Sequence, residues 1–197
     1  MSAEVLSALI AYFIGNFSTS YIIGKLNGNI DIRKYGSGNA GATNVLRTLG
    51  KKAALYTFLG DAFKGVLAVI IGSRLGGEKA ALVAAICVVL GHNWPVFLKF
   101  KGGKGVATTI GSILAIDPIV GVFSLAVGII SIIKTKYVSL GSVLGIVSLP
   151  IFMLYRGGNR LLVSCILALI IVFTHRENIK RLMNGTERKI GQKTEIR

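Results

Sequence analysis

Seven apolar runs separated by short polar clusters set the pattern of the chain. A bilayer crossing takes about 20 apolar residues in helical form, because every backbone group must find its partner inside the segment. The runs at 5–23, 53–72, 80–98 and 138–155 are long enough. Those at 106–116, 119–133 and 161–174 are shorter and read as short helices, half-spans or one re-entrant hairpin. The pattern predicts an all-α integral membrane protein of about seven transmembrane helices, with five crossings as the alternative. Glu4 precedes the first run, which has neither a basic leader nor a small-residue cleavage site, so it is expected to stay as the first span.

Charge orients these spans. Seven crossings put eighteen lysines and arginines on one side and only Arg74, Lys79, Arg156 and Arg160 on the other, with Lys64 inside the second run. By the positive-inside rule the N-terminus is then outside and the C-terminus cytoplasmic. Merging 106–116 with 119–133 into one crossing would put Lys134, Lys136 and the basic tail on mixed sides, so the charges favour seven.

Composition supports the membrane reading and narrows the chemistry. Hydrophobic residues make up 52% of the chain and charged ones 16%, against ~25% charged in ordinary soluble domains. The mean hydropathy is +0.67, which excludes a disordered chain. A net charge of +15 implies cationic loops facing anionic headgroups or anionic substrates, with no call for nucleic acid. Cys87 and Cys165 both sit in apolar runs and read as small hydrophobes, so neither a disulfide framework nor a metal site is expected. The chain, 1–197, reads as one transmembrane domain with three cytoplasmic segments of interest, 33–52, 91–108 and 175–191.

The first segment contains Gly36-Ser37-Gly38-Asn39-Ala40-Gly41-Ala42-Thr43-Asn44, followed by Arg47. Glycines permit left-handed turns whose successive N–H groups form anion nests, Ser37, Asn39, Thr43 and Asn44 donate hydrogen bonds, and Arg47 adds a planar fork. The alternative is a tight connector with one more positive charge. Gly36, Gly38 and Gly41 match the dinucleotide-binding spacing, but no strand precedes them and Asp61 lies within an apolar helix, so that reading fails.

In the second segment Gly102, Gly103 and Gly105 surround Lys104, with Lys101 nearby, just before an apolar run. Backbone N–H groups, a helix N-terminus and an ammonium are expected to converge there on an anion. No Ser or Thr follows Lys104 to hold magnesium, so this is not a nucleotide-binding P-loop. Trp94 and Pro95 read as an interfacial anchor with a helix kink. His92 stays open between a neutral ring capped by a helix carbonyl and a phosphate ligand. Asp61 and Lys64, three apart on one helix face, read as a structural ion pair.

The third segment places Ile179, Leu182 and Met183 at helical spacing among Arg and Lys, an interfacial amphipathic helix with a polybasic face. His175, Asn178 and Glu187 are left over by that reading.

Together the motifs GSGNAGATNVLRTLG, GHNWPVFLKFKGGKGVAT and HRENIKRLMNGTERKIG resemble PlsY, the family of bacterial membrane glycerol-3-phosphate acyltransferases that take the acyl chain from acyl phosphate. The His–Asp dyad of other glycerol-phosphate acyltransferases is absent, since Phe97 stands five beyond His92 and Lys180 five beyond His175. The resemblance implies a multi-pass enzyme of the bacterial inner membrane with its active site facing the cytoplasm. It implies acyl phosphate, glycerol-3-phosphate and membrane lipid as partners, and no cofactor or obligate protein partner. Ser37, Asn39, Arg47 and Lys104 are the candidate catalytic residues. Gly36, Gly38, Gly41, Thr43, Asn44, His92, Lys101, Gly102, Gly103, Gly105, His175, Asn178 and Glu187 are the candidate substrate-binding ones. Acyl phosphate is a mixed anhydride with a good leaving group, so the protein has mainly to neutralise anions, align the hydroxyl and exclude water. The expected reaction is direct attack by the glycerol-3-phosphate hydroxyl, a substrate phosphate oxygen taking the proton. A transporter of phosphorylated solutes is the rival, but it would show repeats and interrupted helices in matching positions, which the sequence lacks.

Overall fold

A computed structural model describes residues 1–192, and among these the secondary structure is helical with no strand. The helices are α1 (Ala3–Asn16), α2 (Thr19–Gly28), α3 (Ala42–Thr48), α4 (Lys51–Asn93), α5 (Val106–Ile116), α6 (Pro118–Thr135), α7 (Val138–Met153), α8 (Gly158–Thr174) and α9 (Arg176–Met183). Residues 193–197, which carry part of the expected basic tail, lie outside the described residues.

Every apolar run forms helix, and three of them differ in detail from expectation. The first run breaks after Phe17, where Ser18 caps α2 by accepting the N–H of Tyr21. The carbonyls exposed by the break, those of Gly15 and Phe17, accept from the buried Lys64 ammonium at 3.2 and 2.8 Å. The second and third runs form the two arms of α4, which folds back at Gly76 and Gly77. The α-carbon of Gly72 lies against Ala80 and Ala84 of the returning arm, which shows the antiparallel course. Trp94 does not kink a helix; it ends α4, and Pro95 opens a single 3₁₀ turn at Val96–Leu98.

Among the described residues seven rods result, and their connections alternate between two poles. Asp117, which caps α6 at its Pro118 start, accepts from Arg156 Nε at 2.7 Å and from the Tyr155 hydroxyl at 3.1 Å. Arg160 pairs with Glu78, so the turn of α4, the α5–α6 turn and the α7–α8 turn share one pole. The N-terminus is there too, since Ser7 Oγ donates to the Ala80 carbonyl. The two glycine-rich loops and the third segment meet at the opposite, basic pole.

Small residues bring the rods into backbone contact. A Cβ on Gly91 would lie 2.1 Å from the Tyr12 carbonyl, and one on Gly111 only 1.9 Å from that of Ala62, so α1 and α5 press directly on α4. The core between them is built from Val88, Val89, Ile113, Ile146, Leu149, Leu167 and Ile171. The outer surface is apolar as well, with Phe63, Ile119, Phe123, Ile133 and Leu169 all more than half exposed. Such a belt fits hydrocarbon and not water. Among the described residues three helical stretches are long and apolar enough to cross a bilayer, Ala3–Gly28, Lys51–Leu98 and Pro118–Thr135, and α8 with α9, bent by 62°, makes a fourth if taken as one.

Candidate active site

The first glycine-rich loop is shaped by Asn44, which is buried at the start of α3. Its Nδ2 donates to the carbonyls of Ile32, Tyr35 and Asn39 at 3.0, 3.0 and 3.1 Å, and its Oδ1 accepts the N–H of Ser37 at 2.8 Å. Asn44 is therefore committed to the loop and is not a free ligand, although it touches the cavity wall. Gly36 has φ +62°, and a Cβ there would sit 2.1 Å from Asn44 Oδ1. Three of the loop's N–H groups are spent inside the protein: those of Ser37, Gly38 and Ala40 donate to Asn44 Oδ1, the Tyr35 carbonyl and the Gly102 carbonyl. The loop also offers side chains: the exposed Ser37 hydroxyl, which accepts from Asn39 Nδ2 at 3.4 Å, and Arg47 on α3.

The second loop spends two of its glycine N–H groups in the same way. The N–H groups of Gly102 and Gly103 donate back to the carbonyls of Asn93 and His92 at 3.2 and 3.1 Å, so neither is available to an anion. Gly102 and Gly103 are required for close approach. Left-handed backbone falls instead on Lys99 and Phe100, which no turn residue signals, and on Gly105, the N-cap of α5. Lys104 and the start of α5 remain as the cationic elements, with Lys101 exposed on the rim.

His92 is nearly buried, and its Nδ1 lies 2.7 Å from the Lys64 ammonium, which also pairs with Asp61 at 2.9 Å. It lines the apolar slot described below and not the polar cavity. The carbonyl-capped imidazole is His175, whose Nδ1–H donates to the Ile171 carbonyl at 2.8 Å and whose Nε2 is thereby an acceptor.

The third segment closes over Lys104. Its ammonium donates to Asn178 Oδ1, and Asn178 Nδ2 donates to Glu187 Oε1 at 2.8 Å. Glu187 also accepts from Ser139 Oγ at 2.9 Å and from Arg181 Nε at 2.7 Å, tying α7 and α9 together. Burial pushes the Glu187 carboxyl up, but the hydrogen bonds from Asn178, Arg181 and Ser139 outweigh it and hold its pKa below the usual value. Burial, with Arg181 and Arg47 adding to it against Glu187, lowers the Lys104 pKa to about 8. No hydrogen bond or ion pair with the described residues engages the half-buried Arg47 guanidinium; burial lowers its pKa, with Glu187 opposing and Arg188 and Arg181 adding to the shift.

Two cavities meet here. One, of about 360 Å³, is an apolar slot running between α4, α5, α6 and α7 past Leu55, Phe58, Ile110, Leu125, Ile129 and Ile146. The other, of about 520 Å³, is polar and cationic, lined by Lys101, Arg176, Arg181 and Arg188. Ser37, Asn39, Arg47, Lys104, Asn178 and Glu187 line both. Gly41, Thr43, Gly105 and His175 belong to the slot, and Gly36, Gly38, Lys101, Gly102 and Gly103 to the polar side. Sequence reasoning missed Ser139 and Arg181, one hidden in an apolar run and the other in a basic cluster. No group of His, Cys, Asp or Glu is placed to hold a metal among the described residues.

Residues 5–185 match the model of a family described as glycerol-3-phosphate acyltransferase. The glycerol-3-phosphate acyltransferases of Alkaliphilus metalliredigens and Clostridioides difficile are each 54% identical to the chain, over 98% and 97% of it and 99% and 97% of their own lengths. A crystal structure of PlsY, described as an integral membrane glycerol 3-phosphate acyltransferase in its glycerol 3-phosphate form, aligns with a TM-score of 0.91 at 38% identity, covering 96% of each chain. A second PlsY crystal structure, in a lysophosphatidic acid form, gives 0.89 at 37% over the same shares. Family, sequence relatives and fold agree, and the chain belongs to the PlsY family of glycerol-3-phosphate acyltransferases.

Proposed function

We propose that the chain transfers a fatty acyl group from acyl phosphate directly to the 1-hydroxyl of glycerol-3-phosphate, releasing lysophosphatidic acid and inorganic phosphate. The observation that carries this reading is the shared wall: an apolar slot and a cationic basin join at Ser37, Asn39, Arg47, Lys104, Asn178 and Glu187. An acyl phosphate is one molecule with one end for each cavity, and its scissile bond falls at their junction. The bond from the hydroxyl oxygen to the acyl carbon forms, the bond from that carbon to the phosphate oxygen breaks, and phosphate leaves with its electron pair.

Arg47 and Lys104 neutralise the donor phosphate, and the remaining cations of the basin hold glycerol-3-phosphate. The proton of the attacking hydroxyl passes to a donor phosphate oxygen. Ser37 is supported as an orienting group and not as a nucleophile, because the hydrogen bond its hydroxyl makes among the described residues is with the Asn39 amide, which is no base. His175 Nε2, an acceptor lining the slot, suits alignment of the hydroxyl.

The alternation of seven rods between two poles supports seven crossings in a bacterial inner membrane. The basic pole with its three motif segments then faces the cytoplasm and the N-terminus lies outside. Detergent-purified protein tests the function: acyl phosphate should be consumed only when glycerol-3-phosphate is present. Transport of glycerol-3-phosphate by vesicles without turnover would favour the transporter instead.

A further inference from the structure

We propose that Lys64 is a positioning residue for acyl transfer, acting through the tautomer of His92 on the loop that carries Lys104. The inference rests on the reading of Lys104 as a ligand of the donor phosphate.

Lys64 sits in mid-helix and nearly buried, where an ammonium is costly unless it is fully engaged. It has four acceptors around it: Asp61 Oδ1 at 2.9 Å, His92 Nδ1 at 2.7 Å, and the carbonyls of Phe17 and Gly15. An ammonium only donates, so His92 Nδ1 must present its lone pair, and the ring proton is on Nε2. His175 holds the opposite tautomer, because its Nδ1 faces a carbonyl. The pair with Asp61, itself held by the Thr19 hydroxyl at 3.1 Å, holds the Lys64 ammonium in place.

The Nε2 edge of His92 is where the two glycine-rich loops touch. A Cβ added to Gly103 would lie 2.2 Å from Nε2 and 2.7 Å from the Ala40 carbonyl oxygen, so the ring edge, the first loop and the second loop converge on one point. Gly103 N–H donates to the His92 carbonyl, and Ala40 N–H to the Gly102 carbonyl, on either side of that point. Lys104 is the next residue. A ring fixed by Lys64 with its N–H directed at this junction sets the loop height from which Lys104 reaches the phosphate, and a ring free to flip does not. An ion pair that merely stabilised the bundle would need no imidazole between it and the loop.

The test combines nitrogen NMR of ¹⁵N-histidine protein in detergent with rates per folded molecule. The wild type should show His92 protonated at Nε2 and bare at Nδ1. Lys64→Gln, checked for folding by its elution profile and melting curve, should lose that signature and fall ~10-fold or more in kcat, as a small misplacement of a reacting group does. Lys64→Arg should recover part of the rate. In a His92→Phe background Lys64→Gln should add less than about twofold, the non-additivity of residues acting as one unit. A wild-type His92 protonated at Nδ1 overturns the proposal without any variant. Folded Lys64→Gln turning over at the wild-type rate, or effects that simply add, also overturns it. If wild-type protein does not use acyl phosphate at all, the functional reading fails, while the tautomer result still reports on the contact itself.

Discussion

The backbone N–H of Ala40 donates to the carbonyl of Gly102 across 3.1 Å, joining two glycine-rich loops that are about sixty residues apart in the chain. Through this contact Ser37 and Lys104 come to line the same two cavities. The site is a junction of three segments, each held by the next, and its substitutions are expected to fall into distinct classes.

Arg47 is half-buried without a partner among the described residues, as a group reserved for a ligand would be. Arg47→Ala is expected to lower kcat/KM by about 10²-fold, the usual cost of removing a charge-assisted contact to developing charge. Arg47→Lys should recover little, because an ammonium cannot reproduce the fork. Steady-state kinetics with acyl phosphate checks both.

Lys104 should impose a falling limb on the pH profile. Its pKa is lowered to about 8 by burial first and by Arg181 and Arg47 next, so the cation is present below that pH and lost as pH rises through it. The free enzyme's kcat/KM is expected to decline above about pH 8. Lys104→Arg, if active, should carry no such limb, because the guanidinium stays charged.

Ser142 lines the apolar slot on α7, four residues and about 6 Å beyond Val138 at the basic pole. Ser142→Phe is expected to fill the slot partway down. Its KM should rise far more for a long-chain acyl phosphate than for a short-chain one, with glycerol-3-phosphate KM unchanged. An equal effect on both chain lengths would argue that the chain lies elsewhere.

Gly111 tests the bundle independently of the chemistry. A Cβ there meets the Ala62 backbone oxygen at 1.9 Å, and backbone cannot move aside as a side-chain tip can. Gly111→Ala should destabilise the protein by about 1–3 kcal/mol, read as a lower melting temperature in detergent.

Hydrophobic runs and the distribution of lysine and arginine made the rods and the basic pole legible in the sequence, because lipid forces the backbone into helices whatever the side chains do. The Asp61–Lys64 pair was legible too, from spacing alone, and it forms at 2.9 Å. Its role at the break after Phe17 was not, since that break lies within an unbroken apolar run. The glycine loops were misjudged at the level of single N–H groups. Glycine content signals permissive backbone but not where the freed donors point, and at Gly102 and Gly103 they point back into the chain. The opposite tautomers of His92 and His175 depend on partners 28 and 4 residues away, and only the folded chain shows which is which. Glu187 stood unexplained in the sequence because Ser139, Asn178 and Arg181 reach it from two different elements.

Direct transfer is tested most simply by mixing excess enzyme with acyl phosphate in a single turnover, with and without glycerol-3-phosphate, and following phosphate and lipid together. Without the acceptor the donor should stay intact and the protein mass unchanged. On adding it, lysophosphatidic acid and phosphate should appear in equal amounts and at one rate. Phosphate released by donor alone in proportion to enzyme, with the acyl group recovered on a Ser37 peptide, would contradict the account.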